Sequence, residues 1–286
     1  MFIFGLGYTA SRLAAALRRE GWQVDATGRA GNIAFENDRA VRAALADADC
    51  VLSSVPPHKD TGADPVLTRY GDAMTGPWLG YLSSTGVYGD AGGAWVDESA
   101  PLTDSPRAQC DAAWLAQGAR VFRLPGIYGP GRSVFDRLRR GRAHRIDVPS
   151  QVFSRIHVND IVAGILAALD RGAAPGAYNL ADNLPCSQNA VVEHACRLLG
   201  APLPPLQTLD EAGLSPMARG FYLTNRRVAN GRAKRVLGWR PRYPTFVEGL
   251  GAVLGAESAG TDLARSATDM PSNASSPPAT ASQDQR

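Results

Sequence analysis

The chain has 286 residues, 44% of them hydrophobic and 20% charged, and a formal net charge of +3. These proportions are ordinary for a globular protein that folds in water, and the length allows one large domain or a domain with a smaller lobe. So small a net charge argues against a nucleic-acid partner, and no apolar run approaches the ~20 residues of a membrane span.

The basic residues are almost all arginine, with Lys59 and Lys234 the only lysines. Cys50, Cys110, Cys186 and Cys196 are scattered without a metal spacing, and no metal site is expected. Arg12, Arg18 and Arg19 follow a very short apolar start that already reads as a strand, so no signal peptide is expected. A cytoplasmic protein with reduced thiols follows from these readings.

Met1 to Phe4 is a short apolar run, followed without a break by Gly5-Leu6-Gly7-Tyr8-Thr9-Ala10. Leu13, Ala14 and Leu17 then recur at helical spacing, Gly21 sits where a helix would stop, and Trp22, Val24 and Ala26 alternate as a second strand does. Strand, glycine turn, helix, strand is the first βαβ unit of a dinucleotide-binding sheet. Gly5 allows the tight turn, Gly7 lets the backbone approach a pyrophosphate, and Ala10 keeps the helix close to the strand. The amides of Tyr8 and Thr9 open the helix, whose free N–H groups and partial positive charge suit phosphates. The second strand runs into Thr27-Gly28-Arg29. Arg29 is a candidate clamp for the 2′-phosphate of NADP, with NAD the less favoured cofactor. The alternative is an ordinary exposed loop arginine.

Further along, Asn37 to Ala46 reads as a helix, and Asp49 to Ser54 as a buried strand that Val55 and Pro56 end at the cofactor edge. Asp64 to Met74 is helical, with Asp64 capping, and Trp78 to Ser83 is a strand opening into SSTGVYG. A helix is expected around Gln109–Gln117, then a strand over Arg120–Leu124 ending at Pro125 and Gly126. Arg132 to Arg145 reads as an arginine-rich helix, either a solvated face or a contact for an anionic substrate. Ile156 to Asp170 turns from strand to helix with Asn159 or Asp160 near the cap, and Ala177 to Leu180 is a short strand. Gln188 to Leu199 is a helix stopped by Gly200, and Asn230 to Leu237 is another. Residues 256–286 have almost nothing to bury, so a disordered tail is expected.

The pieces GLGYTA, SSTGVYG (83–89), RLPGIYGPG (123–131), RIHVND (155–160), AYNLAD (177–182) and KRVLGWRPRYPTFVEGL (234–250) occur in a specific order. Over roughly residues 1–252 the chain resembles the extended short-chain dehydrogenase/reductases, the NAD(P)-dependent epimerase/dehydratase group. The resemblance implies an α/β fold with a doubly wound parallel (Rossmann) sheet and a smaller C-terminal lobe covering the substrate. It implies a cofactor domain over 1–130, completed by about 157–182, and a mostly substrate-side lobe over 131–255. By the same resemblance, Ser83 and Pro125 border the cofactor, while Gly126, Arg132 and Arg155 face the substrate. Family members often dimerise through two helices, here near 64–74 and 109–117, where Ala112 and Ala113 would permit close packing.

In that family the Ser or Thr four residues before the V-Y-G tyrosine sits beside the reacting carbon, which here is Ser84. A Tyr-x-x-x-Lys pair then moves the proton, and this sequence lacks it. Aligning on Asp111 puts Thr103 and Arg107 at the pair's positions; counting from Ser84 puts Gln109 and Ala113 there. Tyr88, Asp97 or His157 could replace the acid, although each also has an ordinary structural role, in the V-Y-G turn, a surface turn and the interior. Two functions stay open. One is an atypical epimerase, dehydratase or reductase acting on a small anionic carbonyl or nucleotide-sugar-like substrate. The other is an NADP-binding sensor or scaffold without turnover.

Overall fold

The computed structural model describes residues 1–76 and 78–268. In chain order the elements are β1 (Phe2–Phe4), α1 (Tyr8–Arg19), β2 (Asp25–Ala26), α2 (Asp38–Ala46), β3 (Cys50–Ser53), α3 (Pro65–Tyr70) and β4 (Trp78–Ser84). Next come β5 (Trp95–Val96), α4 (Pro106–Ala116), β6 (Arg120–Leu124), β7 (Gly126–Tyr128), α5 (Val134–Arg139), β8 (Arg145–Ile146), β9 (Arg155–His157) and α6 (Val158–Asp170). The last are β10 (Gly176–Asn179), α7 (Gln188–Leu199), β11 (Leu206–Gln207), α8 (Pro216–Phe221), β12 (Arg227–Val228), α9 (Gly231–Val236) and α10 (Phe246–Thr268).

Six strands form a parallel sheet in the order β10-β6-β4-β3-β1-β2. The chain leaves β1 toward β2 on one side and returns to β3 on the other, so the strand order reverses beside β1. Open α/β sheets bind ligands at such a reversal, outside the carboxyl ends of the strands.

Alternation along each strand assigns the two faces. Phe2, Phe4, Val51, Tyr81 and Val121 point one way, into a core closed by Val41 of α2, Tyr70 of α3 and Trp114 of α4. Ile3, Leu52, Leu82 and Phe122 point the other way, against Leu13 and Leu17 of α1 and Ile161 and Ile165 of α6. Each such side chain contributes roughly 1.5–3 kcal/mol when removed from water. A third core joins Phe135 of α5, Val192 and Ala195 of α7, and Phe246, Leu250 and Val253 of α10 beyond the strand ends. No helix among the described residues is long and apolar enough to cross a membrane.

Local chemistry moves several expected boundaries. The second strand keeps only Asp25 and Ala26. α4 begins three residues before Gln109, because Ser105 caps the Ala108 amide and Pro106 occupies the first turn. The arginine-rich helix is only Val134–Arg139, opened by a Ser133–Asp136 capping box; Arg145 lies on β8 and pairs with Glu193 at 2.7 Å. His157 caps α6, its side chain accepting from the Asn159 amide. Asp160 instead accepts from the amides of Arg242 (2.7 Å) and Tyr243 (3.1 Å), pinning the closing segment to α6.

The expectation of disorder from residue 256 is corrected where the structure describes it: α10 continues to Thr268. Burial of Phe246, Leu250 and Val253 on one face nucleates the helix, and alanines favour its extension. Glu257 also pairs with Arg139 at 2.5 Å. Residues 269–286 lie outside the described residues.

Candidate active site

At the carboxyl end of β1, Gly5 has φ +82°, and a Cβ there would stand 3.0 Å from Val55 Cγ2 and 3.1 Å from Ser54 Oγ. Glycine is therefore required by both conformation and space. Gly7 precedes α1 with extended backbone and no side-chain cap, and a Cβ on it would meet nothing within 4 Å. This helix end is open, its first-turn N–H groups have no side-chain acceptor, and it fits the pyrophosphate of a dinucleotide. Thr9 and Ala10 are buried against the sheet side. The Tyr8 hydroxyl donates to the Pro130 carbonyl at 3.1 Å, and Arg12 Nη2 donates to the same oxygen at 2.8 Å.

The end of β2 is packed onto this turn. The Leu6 amide donates to the Thr27 carbonyl at 2.8 Å, and a Cβ on Gly28 would come within 2.9 Å of the Leu6 nitrogen. Arg29 follows directly and is exposed. Val55 and Pro56 leave β3 beside Gly5, with Pro56 exposed.

Past the ends of β4 and β6 lies a cleft of about 750 Å³. Ser83 and Ser84 border it on one side and Pro125 and Gly126 on another, so the sheet brings these four expected residues together. Arg132, Arg137, Arg140, Arg155 and Arg226 also line it, against Asp136 as its one carboxylate among the described residues. Both expected substrate arginines are present, but they differ. The Arg132 guanidinium is exposed over the Tyr8 ring, 5.6 Å from its centroid. Arg155 is buried and committed, donating to the carbonyls of Phe153 (2.8 Å) and Cys186 (3.1 Å) and to Gln188 Oε1 (3.0 Å). Arg155 therefore shapes the floor of the cleft.

The expected acid/base residues do not assemble. Tyr88 closes a 3₁₀ turn over Thr85–Tyr88 that carries its ring inward. Its hydroxyl donates to Asn179 Oδ1 at 2.7 Å and accepts from Arg123 Nη1 at 3.0 Å. Burial raises its pKa above the ordinary phenol value, against the lowering effect of Arg123. Thr103 lies before the Ser105 cap, on no helix, and donates to the Val87 carbonyl at 3.2 Å. A Tyr-x-x-x-Lys pair works because i and i+4 share a helix face; Thr103 and Arg107 cannot. Arg107 donates to the Tyr81 hydroxyl at 3.2 Å, on the sheet face that carries Trp114.

The other candidates are also occupied. Asp97 accepts from Ser99 in a turn, and Glu98 accepts from the Asn179 amide at 2.7 Å. His157 is buried among Tyr128 and Tyr243, and desolvation depresses its pKa to about 4.

Two features escaped the sequence. Ser83 Oγ donates to Asp111 Oδ2 at 2.6 Å, and Asp111 is held by Arg123, so a buried ion pair underlies the cleft. Arg226, about 90 positions after Asp136, reaches the cleft through the β5–β12 pairing; no local signal marks it. Among the described residues no His, Cys, Asp or Glu group is arranged to hold a metal.

No protein-family model matches the sequence. A Silicibacter pomeroyi protein described as a functionally unknown conserved protein is 41% identical, with 89% of this chain and 98% of that one covered and a TM-score of 0.79. A Streptomyces protein named 3-diazoavenalumate denitrifying reductase is 28% identical over 86% of this chain and 96% of its own length. The human epimerase family protein SDR39U1, solved with NADPH, shares the fold with a TM-score of 0.70 and 16% identity, over 88% of this chain and 99% of that one.

Proposed function

Since the chain belongs to the family of the Silicibacter pomeroyi protein and carries the fold of the extended short-chain dehydrogenase/reductases, we propose that it is an NADP-dependent reductase acting on a small anionic substrate. One observation carries the reading: Ser84 and a set of arginines border one cleft past the carboxyl ends of β4 and β6. The glycine turn and its uncapped helix end follow β1, which is separated from β4 by β3 alone, at the same carboxyl edge of the sheet. A bound nicotinamide cofactor supplies the hydride. The first-turn amides of α1 hold the pyrophosphate, Arg29 holds the 2′-phosphate, and the cleft arginines draw in the anion.

Ser84 accepts from the Gly86 amide at 3.1 Å, so its own proton remains free to orient the acceptor atom. No phenol–lysine relay stands beside it, and general acid catalysis is ordinarily worth about 10²–10⁴-fold. A carbonyl acceptor would therefore take its proton from solvent and react slowly. The Streptomyces relative is named as a reductase of a diazo compound, which favours reduction over epimerisation and extends the candidate acceptors beyond carbonyls.

The test is NADPH consumption with anionic carbonyl and other electrophilic substrates. Ser84→Ala should abolish turnover and spare NADPH binding. Tyr88→Phe should keep turnover and lower stability by roughly 1–3 kcal/mol, because Asn179 and Arg123 each lose a buried partner. Tight NADPH binding with no consumption would favour a cofactor-binding protein without turnover. Turnover lost in Tyr88→Phe with the fold intact would make Tyr88 the acid.

A further inference from the structure

The unpaired chemistry of the cleft is unevenly distributed. Arg132, Arg137 and Arg140 are exposed, and none has a carboxylate partner among the described residues. Asp136 accepts from Ser133 in the α5 cap, at 2.9 Å from its amide. Other neutral polar groups are also engaged: Ser83 with Asp111, Ser154 with the Val228 amide, and Gln188 Oε1 with Arg155. What remains toward the cleft is guanidinium, hydrocarbon and the hydroxyls of Ser84, Thr85 and Thr224, with no carboxylate or side-chain amide oxygen free of a partner among the described residues. Phe221 borders it with 61% of its surface exposed, and Val152 and Phe153 beside it are half-buried.

A sugar ring is recognised by acceptors for its hydroxyl protons, usually carboxylates and amide oxygens, and a guanidinium only donates. This cleft therefore gives a polyhydroxylated body few acceptors. Guanidinium forks match carboxylates and phosphates and also lie flat on aromatic faces, while exposed phenylalanine is satisfied by an apolar surface laid over it.

We propose that the cleft takes an amphipathic anion, a flat aromatic body bearing a carboxylate or a phosphate, and not a polyhydroxylated sugar derivative. Arg137 and Arg140, with Arg132, bind the anionic group, and Phe221 and Phe153 cover the arene. This rests on the reading of the cleft as the substrate site.

Binding is measured on the full chain with saturating NADPH, by thermal shift and by titration. The probes are 2-naphthoate, 2-naphthyl phosphate, 2-naphthol, gluconate and UDP-glucose. The two aryl anions should bind, and their ratio tells carboxylate from phosphate; naphthol lacks the charge and gluconate the arene, so both should bind at least about tenfold more weakly. The double variant Arg137→Gln/Arg140→Gln should weaken the aryl anions by about tenfold or more, and Phe221→Ala should weaken them severalfold. All three side chains are exposed, so the fold should survive. UDP-glucose or gluconate binding more tightly than both aryl anions would overturn the proposal, as would aryl binding indifferent to both variants. Reduction of an anionic sugar with no aryl binding would refute this substrate class and leave the reductase reading standing. Aryl binding at this cleft without NADPH consumption by any electrophile would do the reverse.

Discussion

Arg123 and Asp111 form a two-point ion pair wholly inside the protein, with Nη2 2.7 Å from Oδ1 and Nε 3.1 Å from Oδ2, and side chains 3% and 0% exposed. Both carboxylate oxygens and all three guanidinium nitrogens are used, since Arg123 Nη1 reaches Tyr88 and Asp111 Oδ2 also receives Ser83. The pair ties β6 to α4 and to the strand end that presents Ser84.

Removing one partner leaves a buried charge without its counterpart, which typically costs 3–5 kcal/mol. Asp111→Ala should therefore lower the unfolding free energy by about 3–5 kcal/mol, read as a fall in the urea midpoint. A change under about 1 kcal/mol, the worth of an exposed pair, would mean that Arg123 finds water or another acceptor.

Arg29 tests the cofactor assignment. It is exposed beside the glycine turn, so replacing it disturbs no packing. Arg29→Ala should weaken NADPH by roughly 1.5–3 kcal/mol and leave NADH nearly unchanged. Titration of both cofactors into both proteins decides it. Equal affinity of the unaltered protein for NADH and NADPH would defeat the clamp.

Two buried groups act on stability in opposite directions as pH changes. Desolvation raises Asp182 to about 7 from 3.8, its Oδ2 having no hydrogen-bond partner. The folded state then holds a proton that the unfolded chain has released, so this contribution is complete below pH ~4 and is lost as pH rises to about 7. Desolvation lowers His157 to about 4 from 6.5. Here the folded state refuses a proton, so stability is present above pH ~6.5 and is lost as pH falls toward 4. Each slope is about 1.4 kcal/mol per pH unit, and they oppose one another between pH ~4 and 6.5. Asp182→Asn should therefore gain on the unaltered protein as pH rises from 4 to 7. His157→Asn, which keeps an acceptor for the Asn159 amide, should gain as pH falls from 6.5 to 4. Urea unfolding at half-unit pH intervals measures both differences. Parallel curves for variant and unaltered protein would show that the group titrates normally.

The sequence by itself determined the α/β architecture and the cofactor end. GLGYTA between two strands places a glycine at position 5, where the backbone has φ +82°, a local conformational requirement, and leaves the helix end at position 7 without a side chain over it. FIF, CVLS and RVFRL were legible as strands, while which side chain faces which helix layer came from the structure, since FIF and CVLS are buried on both faces. The absence of Tyr-x-x-x-Lys was equally legible, being a matter of identity at fixed spacing. Tertiary structure decided the rest, because a side chain's role depends on what fills the space around it. Tyr88 and Arg155 carry the right chemistry in the right motifs, yet Asn179, Cys186 and Gln188, distant in sequence, claim their polar atoms. Arg226 became a cleft residue only when β12 paired with β5. Asp111 was a plausible alignment mark in the sequence; only the packing of α4 against β6 made it the counter-ion of Arg123, since a charge shut off from water must find its opposite in whatever lies beside it.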